Sequence, residues 1–205
     1  VGPVAYRTLD AVRTDIANLR AALEGVEVED AFMTAASPGV ISMFLQNQHY
    51  PSHEDYIAAL ADAMKPEYDE IHRAGFVLQL DCPDLAVGRH MNGKSSLEEF
   101  RRRVKLHLDA IDHATRDIPE DSLRLHLCWG NYEGPHNHDV PLRDIIDLVL
   151  QARPAAISFE AANPRHEHEW AIFEDIKLPE GKVLIPGVLD STTNYIEHPE
   201  LIAQR

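Results

Sequence analysis

The chain has 205 residues, 44% hydrophobic and 26% charged, and a formal net charge of −15 from 19 basic against 34 acidic residues. That balance excludes nucleic acid and anionic membrane surfaces as partners, because both are bound through clustered Lys and Arg, and no apolar run approaches the roughly 18 residues of a membrane span. Two cysteines, Cys82 and Cys128, are too few for a disulfide framework and predict a reducing, cytoplasmic setting.

The first residues, Val1-Gly2-Pro3-Val4, carry neither the basic nor the apolar region of a signal peptide, and without an initiator Met the chain is expected to begin inside a longer one. Apolar Val12, Ile16, Leu19 and Leu23 follow helical spacing and predict a helix over Ala11–Glu24, stopped by Gly25. A short apolar segment over Ala31–Ser42 is broken by Ser37-Pro38-Gly39, and Ala31–Ala36 counts as a strand. Ser52 is the expected N-cap of a helix running to Arg73, with Asp55 in its first turn. Gly75 ends it and Phe76–Leu80 reads as a buried strand. A helix starts at Ser95-Ser96-Leu97 and ends near Arg116, with Arg101–Lys105 as its solvated face. A strand at Leu123–Cys128, a helix at Leu142–Ala152 and a strand at Ala156–Phe159 follow. Then come a helix-like Glu167–Glu174, a strand at Val183–Val188 and a last helix from Pro199.

Short apolar strands alternating with amphipathic helices predict a parallel α/β architecture in a single domain. Polar residues gather at the C-terminal strand ends: Asp81, then Cys128 and Asn131, then Glu160, then Asp190. That is the face where sites are built in barrels and in doubly wound sheets alike. No Gly-rich turn follows a strand, which disfavours a dinucleotide fold and favours a (β/α)8 TIM barrel. Eight strands need about 250 residues. About five βα units are visible here, so the expected barrel is incomplete, or the sheet stays open.

His126 and Cys128 sit two apart on one strand, so their side chains share a face, and imidazole plus thiolate is a zinc pair. The alternative is a core histidine beside a small buried thiol. Glu160 ends the next strand, either as a third ligand or as a buried acid paired with a base. Asp81 could bind a cationic substrate group, act as a base, or cap the turn before Pro83. Cys82, pointing the other way, is assigned to packing. His136 and His138 are read as loop residues near the substrate, and His166 and His168 as surface.

Taken together, "VLQLDCPDLA", "LRLHLCWGNYEGP", "ISFEAANPRHEHEW" and "KVLIPGVLDSTTNYIEHPELIAQR" resemble the catalytic barrel of the cobalamin-independent methionine synthase family. That family includes single-barrel relatives such as the epoxyalkane:coenzyme M transferases, and the resemblance covers roughly residues 30 to 205. It implies a barrel of the methionine synthase/uroporphyrinogen decarboxylase type, lacking here its first strands and its last. It also implies zinc held by His126, Cys128 and Glu160, with Asp81 binding the amino group of homocysteine and Asn131 on the substrate side. The implied activity is zinc-dependent alkyl transfer to a small thiol from an alkyl donor, as in methionine biosynthesis. The family's second Cys ligand has no counterpart up to Arg205. Where methionine synthases carry Tyr-Asp-x-His, this chain has Leu189-Asp190-Ser191-Thr192, making Asp190 and Thr192 the catalytic candidates. The Thr in place of His favours a non-folate electrophile, as in the coenzyme M enzymes. A non-catalytic truncated barrel is the reading from another class. The porphyrinogen-binding branch ranks last, because no Arg ends a strand.

Overall fold

A computed structural model describes residues 2–91, 95–131 and 134–205. Five strands, β1 (Phe32–Ala36), β2 (Val77–Asp81), β3 (Leu123–Leu127), β4 (Ala156–Glu160) and β5 (Val183–Gly187), form one parallel sheet. Their spatial order is the order of the chain, β1-β2-β3-β4-β5. A doubly wound sheet reverses direction at a switch point, whereas a barrel adds every strand on the same side. Sequential order with crossovers of one hand places all the helices on one face. The architecture is therefore a partial (β/α) barrel.

Seven helices are described: α1 (Asp10–Ala22), α2 (Pro38–Phe44), α3 (His53–Arg73), α4 (Val87–Met91), α5 (Leu97–Ala114), α6 (Ile146–Val149) and α7 (Pro199–Gln204). Among the described residues, no helix is long and apolar enough to cross a membrane.

The alternation of side chains along each strand divides the sheet into two surfaces. Leu78, Leu80, Leu123, Leu125, Leu127, Ile157 and Phe159 point to the helical side and are buried. Val104, Leu108 and Ile111 of α5 and Ile57, Leu60 and Ile71 of α3 belong to the same core. The other face is the concave interior of the partial barrel, and it is polar and only half-buried. Strand register sets its layers: Thr34, Gln79 and Arg124 lie side by side, and Asp81, His126 and Ser158 form the layer above. Arg124 lies over the Phe32 ring at 4.4 Å and reaches the Gln79 side-chain oxygen at 3.4 Å, so an aromatic face and an amide dipole share in holding this cation.

Local chemistry explains the helix starts. Ser52 caps α3 by accepting the Asp55 N–H at 3.0 Å. Ser96 and Glu99 form a reciprocal capping box on α5: the Ser96 hydroxyl accepts the Glu99 N–H, and the Ser96 N–H donates to Glu99 at 2.8 Å. Ser96→Ala is expected to cost about 1 kcal/mol, a drop of about 2–4 °C in Tm for a chain of this size, measurable by thermal denaturation.

The structure departs from the expected elements in three places. Ser37-Pro38-Gly39 is not a break but the start of α2: Ser37 accepts the Val40 N–H at 3.0 Å, and Pro38 occupies the first turn, where no N–H is needed. The helix expected over Leu142–Ala152 is a 3-10 turn (Leu142–Asp144) followed by the short α6. The segment Glu167–Glu174 is likewise 3-10 rather than α. On α5, Arg101 is not merely solvated: it reaches α6 and pairs with Asp147 at 2.7 Å.

Candidate metal centre

Parallel strands all end at the same rim, so whatever ends each strand meets its neighbours there. Register places Asp81 beside His126 and His126 beside Ser158. One step further, Cys128 and Glu160 stand at the mouth. The donor atoms of Asp81, His126 and Cys128 lie within 4.8 Å of one another. His126 Nδ1 is 3.3 Å from the Ser158 hydroxyl. Glu160 lines the same cavity, and its carboxylate is held by the Asn163 side-chain amide. Immediately after Cys128 the chain turns at Gly130, whose φ of 78° is the left-handed conformation that favours glycine. That turn directs the Gly130 N–H at the Cys128 sulfur.

The cavity has a volume of about 580 Å³. Its polar wall holds these donors. Its apolar wall comes from Val40, Met43 and Phe44 of α2, Val87 and Met91 of α4, and Leu189 after β5.

Burial governs the electrostatics, and it acts against charge at every donor. The Cys128 thiol is pushed up to about 12 by desolvation first, with the Glu160 and Asp81 carboxylates adding to the rise. Asp81 and Glu160 are also raised, mainly by burial, while burial lowers His126. The Asp81 carboxyl, the Cys128 thiol and the His126 imidazole, whose donor atoms converge, are groups that each gain from a shared divalent cation, and Glu160 lines the same cavity without belonging to that convergence. Imidazole nitrogen, sulfur and carboxylate oxygen are the donor set of zinc. The residues fit that ion.

The remaining candidates take varied positions. Asn131 is on the rim, and its side-chain oxygen accepts from the Ser191 hydroxyl at 3.2 Å, linking the loops after β3 and β5. Asp190 and Thr192 face one another: the Thr192 hydroxyl and N–H both donate to Asp190 Oδ1, at 2.6 and 2.9 Å. Their neighbours Leu189 and Ser191 line the cavity. Cys82 is fully buried, its thiol against the Leu80 carbonyl at 3.4 Å, as a packing residue should be. Ser158 and Ser191 escaped the sequence reading. Ser158 had a signal, being two residues before Glu160 on the same strand face; Ser191 had none.

His166 corrects the expectation of a surface residue: it is 4% exposed, stacked on Trp129 at 3.9 Å, and bonded to Asp139 and Glu169. His136 belongs to a loop as expected, yet its side chain is buried against Asp139. His138 and His168 are exposed. In each H-x-H pair the first ring is buried and the second exposed, which an extended segment would not do, since residues two apart on a strand share a face.

No protein-family profile matches the sequence, and no curated protein matches it. Among solved structures, the chain is similar to a B12-independent methionine synthase from a Shewanella species, determined in complex with selenomethionine. The TM-score is 0.75 at 20% identity, over 100% of this chain and 56% of that one. The chain therefore spans just over half the length of that structure. At this identity the likeness carries the fold: a partial (β/α) barrel of the kind found in methionine synthase.

Proposed function

We propose that the chain carries the thiol-activating site of a zinc-dependent thiol alkyltransferase, with a homocysteine-type thiol as its default substrate. The observation supporting this is the convergence of His126, Cys128 and Asp81 at one point of the rim, with Glu160 in the same cavity. In this reading His126, Cys128 and Glu160 hold zinc, and Asp81 receives the substrate ammonium. Zinc, when bound, supplies an electrophilic centre that lowers a thiol's pKa and leaves a thiolate near neutral pH. The protein's own groups do the rest. Ser158 orients the His126 ring, Asn163 holds the Glu160 carboxylate, and the apolar wall of α2 and α4 keeps water from the reacting sulfur. The alkyl donor approaches from the open side of the rim, where Asn131 and Ser191 are joined.

Two substitutions separate the roles of the carboxylates. Glu160→Gln is expected to lose zinc, whereas Asp81→Asn keeps zinc and raises KM for an amino-thiol. Loss of zinc from Asp81→Asn with retention in Glu160→Gln would exchange the two assignments. Removing the Asn163 amide should weaken zinc binding about 10–100-fold, the usual effect of losing a group that orients a ligand. A chelator competition on Asn163→Ala measures it.

A second reading concerns the electrophile. Asp190 and Thr192 satisfy one another and neither lines the cavity, while the Ser191 hydroxyl that does line it donates to Asn131, so neither catalytic candidate of this loop faces the sulfur. That arrangement favours a donor whose leaving group needs no protonation by this loop. Assaying methyl-folates against simple epoxides and S-methyl donors, with turnover of one class alone, decides between the two.

A further inference from the structure

Beside Trp129, whose ring stacks on His166, lies a second convergence of metal-ligating side chains, none of which lines the substrate cavity. His136 Nδ1 and His166 Nε2 are each 2.8 Å from the same oxygen of Asp139. The donor atoms of all three residues fall within 4.8 Å of one another. Their side chains are 2%, 5% and 7% exposed for His136, His166 and Asp139, so water contributes little to their solvation. The geometry points to a second, structural zinc site formed by His136, Asp139 and His166.

Three features favour an ion over hydrogen bonding alone. First, His166 is oriented from behind: its Nδ1 is 2.9 Å from Glu169, whose other oxygen accepts the Leu142 N–H. A carboxylate behind a histidine, fixing the ring so that its other nitrogen points at a common centre, is the usual support of a metal-bound imidazole. Second, Asp139 Oδ1 is buried with no hydrogen-bond partner among the described residues; the His90 ring nitrogen is 3.7 Å away. A buried carboxylate oxygen without a hydrogen bond is costly, and an ion bound through both Asp139 oxygens, the one shared by the two histidines and this one, would satisfy it. Third, the donor set is two imidazoles and a carboxylate, well suited to zinc, and none of the three residues lines the rim cavity. An ion held by buried side chains outside the substrate cavity is a structural one.

The position of this site gives it a purpose. His136 and Asp139 lie on the loop after β3, which also carries Cys128 and Asn131; His166 lies 27 residues beyond Asp139, on the loop after β4. The backbone N–H of His166 donates to Asn163, whose amide holds Glu160. A zinc ion here would cross-link the two loops that present the rim donors. It does not depend on the activity proposed for the rim.

The test counts metal in the full chain and then silences each site in turn. Wild-type protein is expected to retain about two equivalents of zinc after dialysis, and the His126→Ala/Cys128→Ser protein about one. In that double variant, cobalt should give visible d–d bands without the thiolate-to-cobalt charge-transfer band, because no sulfur contributes. Asp139→Asn, nearly isosteric, should hold one equivalent fewer than wild type while keeping the charge-transfer band. The proposal is overturned if Asp139→Asn and wild type bind equal zinc, or if a folded His126→Ala/Cys128→Ser chain binds none. Loss of the charge-transfer band in wild-type protein, with the sulfur-free spectrum retained, would overturn the rim reading and leave this one standing.

Discussion

Cys128→Ser is expected to lower zinc affinity at the rim by a few hundredfold and to abolish alkyl transfer to a thiol. The size follows from sharing about 10–16 kcal/mol of zinc binding among four coordination positions, three of them filled by His126, Cys128 and Glu160, which assigns roughly 2.5–4 kcal/mol to each. Serine keeps the shape of the side chain and its position after β3, so the barrel should remain folded. The hydroxyl is a poor zinc ligand because it does not ionise near neutral pH. The Cys128 thiol also resists ionisation here, its pKa raised to about 12 by burial and by Glu160 and Asp81. The ion must therefore displace that proton, and it brings the charge that makes the displacement favourable. Cobalt substitution reads the result directly: the thiolate-to-cobalt band should vanish in Cys128→Ser. Full zinc retention and full activity in this variant would end the proposed mechanism.

Gly39→Ala is expected to destabilise the fold by about 3–5 kcal/mol, the range for breaking a buried ion pair. Gly39 sits in the first turn of α2, where helical geometry suits any residue, so the requirement for glycine is one of space. A Cβ there would overlap the Asp84 carboxylate and come within 2.5 Å of His107 Nδ1. Asp84 and His107 are almost fully buried and bonded at 2.8 Å, and Ser37 donates to the other Asp84 oxygen at 2.8 Å. His107 in turn faces His53 at 3.2 Å on the wall of a second cavity of about 580 Å³. Pushing this network apart strands a carboxylate between β2 and α5. For a chain of this size the Tm should fall by about 6–20 °C. The effect should be far from additive: in an Asp84→Ala background, where the carboxylate is gone, adding Gly39→Ala should cost much less. Thermal denaturation of the four proteins in that cycle tests the clash, and equal costs in both backgrounds would place the effect elsewhere.

Much of this arrangement could be read from residue order. The strands at Leu123–Leu127 and Ala156–Glu160 were legible because alternation or short apolar runs bounded by turn residues are local signals. The caps at Ser52 and Ser96 were legible for the same reason. The pairing of His126 with Cys128 required only the period of a strand. The start of α2 was misread because Pro and Gly signal a break, and only packing against Asp84 and His107 shows why a glycine belongs inside a helix. The region after Leu142 was misread because its apolar residues satisfy a helical period, while the loop it must form to deliver Leu142 N–H to Glu169 keeps it in 3-10 turns.

The deepest division concerns contacts between strand ends. The sequence by itself determined a chain of alternating strands and helices with polar residues at the strand exits, because those are properties of neighbours in the chain. It could not decide that Asp81 joins His126 and Cys128, since that depends on the register between β2 and β3. Nor could it tell that His166, in a run of charged residues, turns inward onto Trp129 and Asp139. A hydrophilic segment reads as surface wherever its polar groups have water as their only visible partner. Only the tertiary structure supplied other partners, by bringing the loops after β3 and β4 together and burying two histidines between carboxylates.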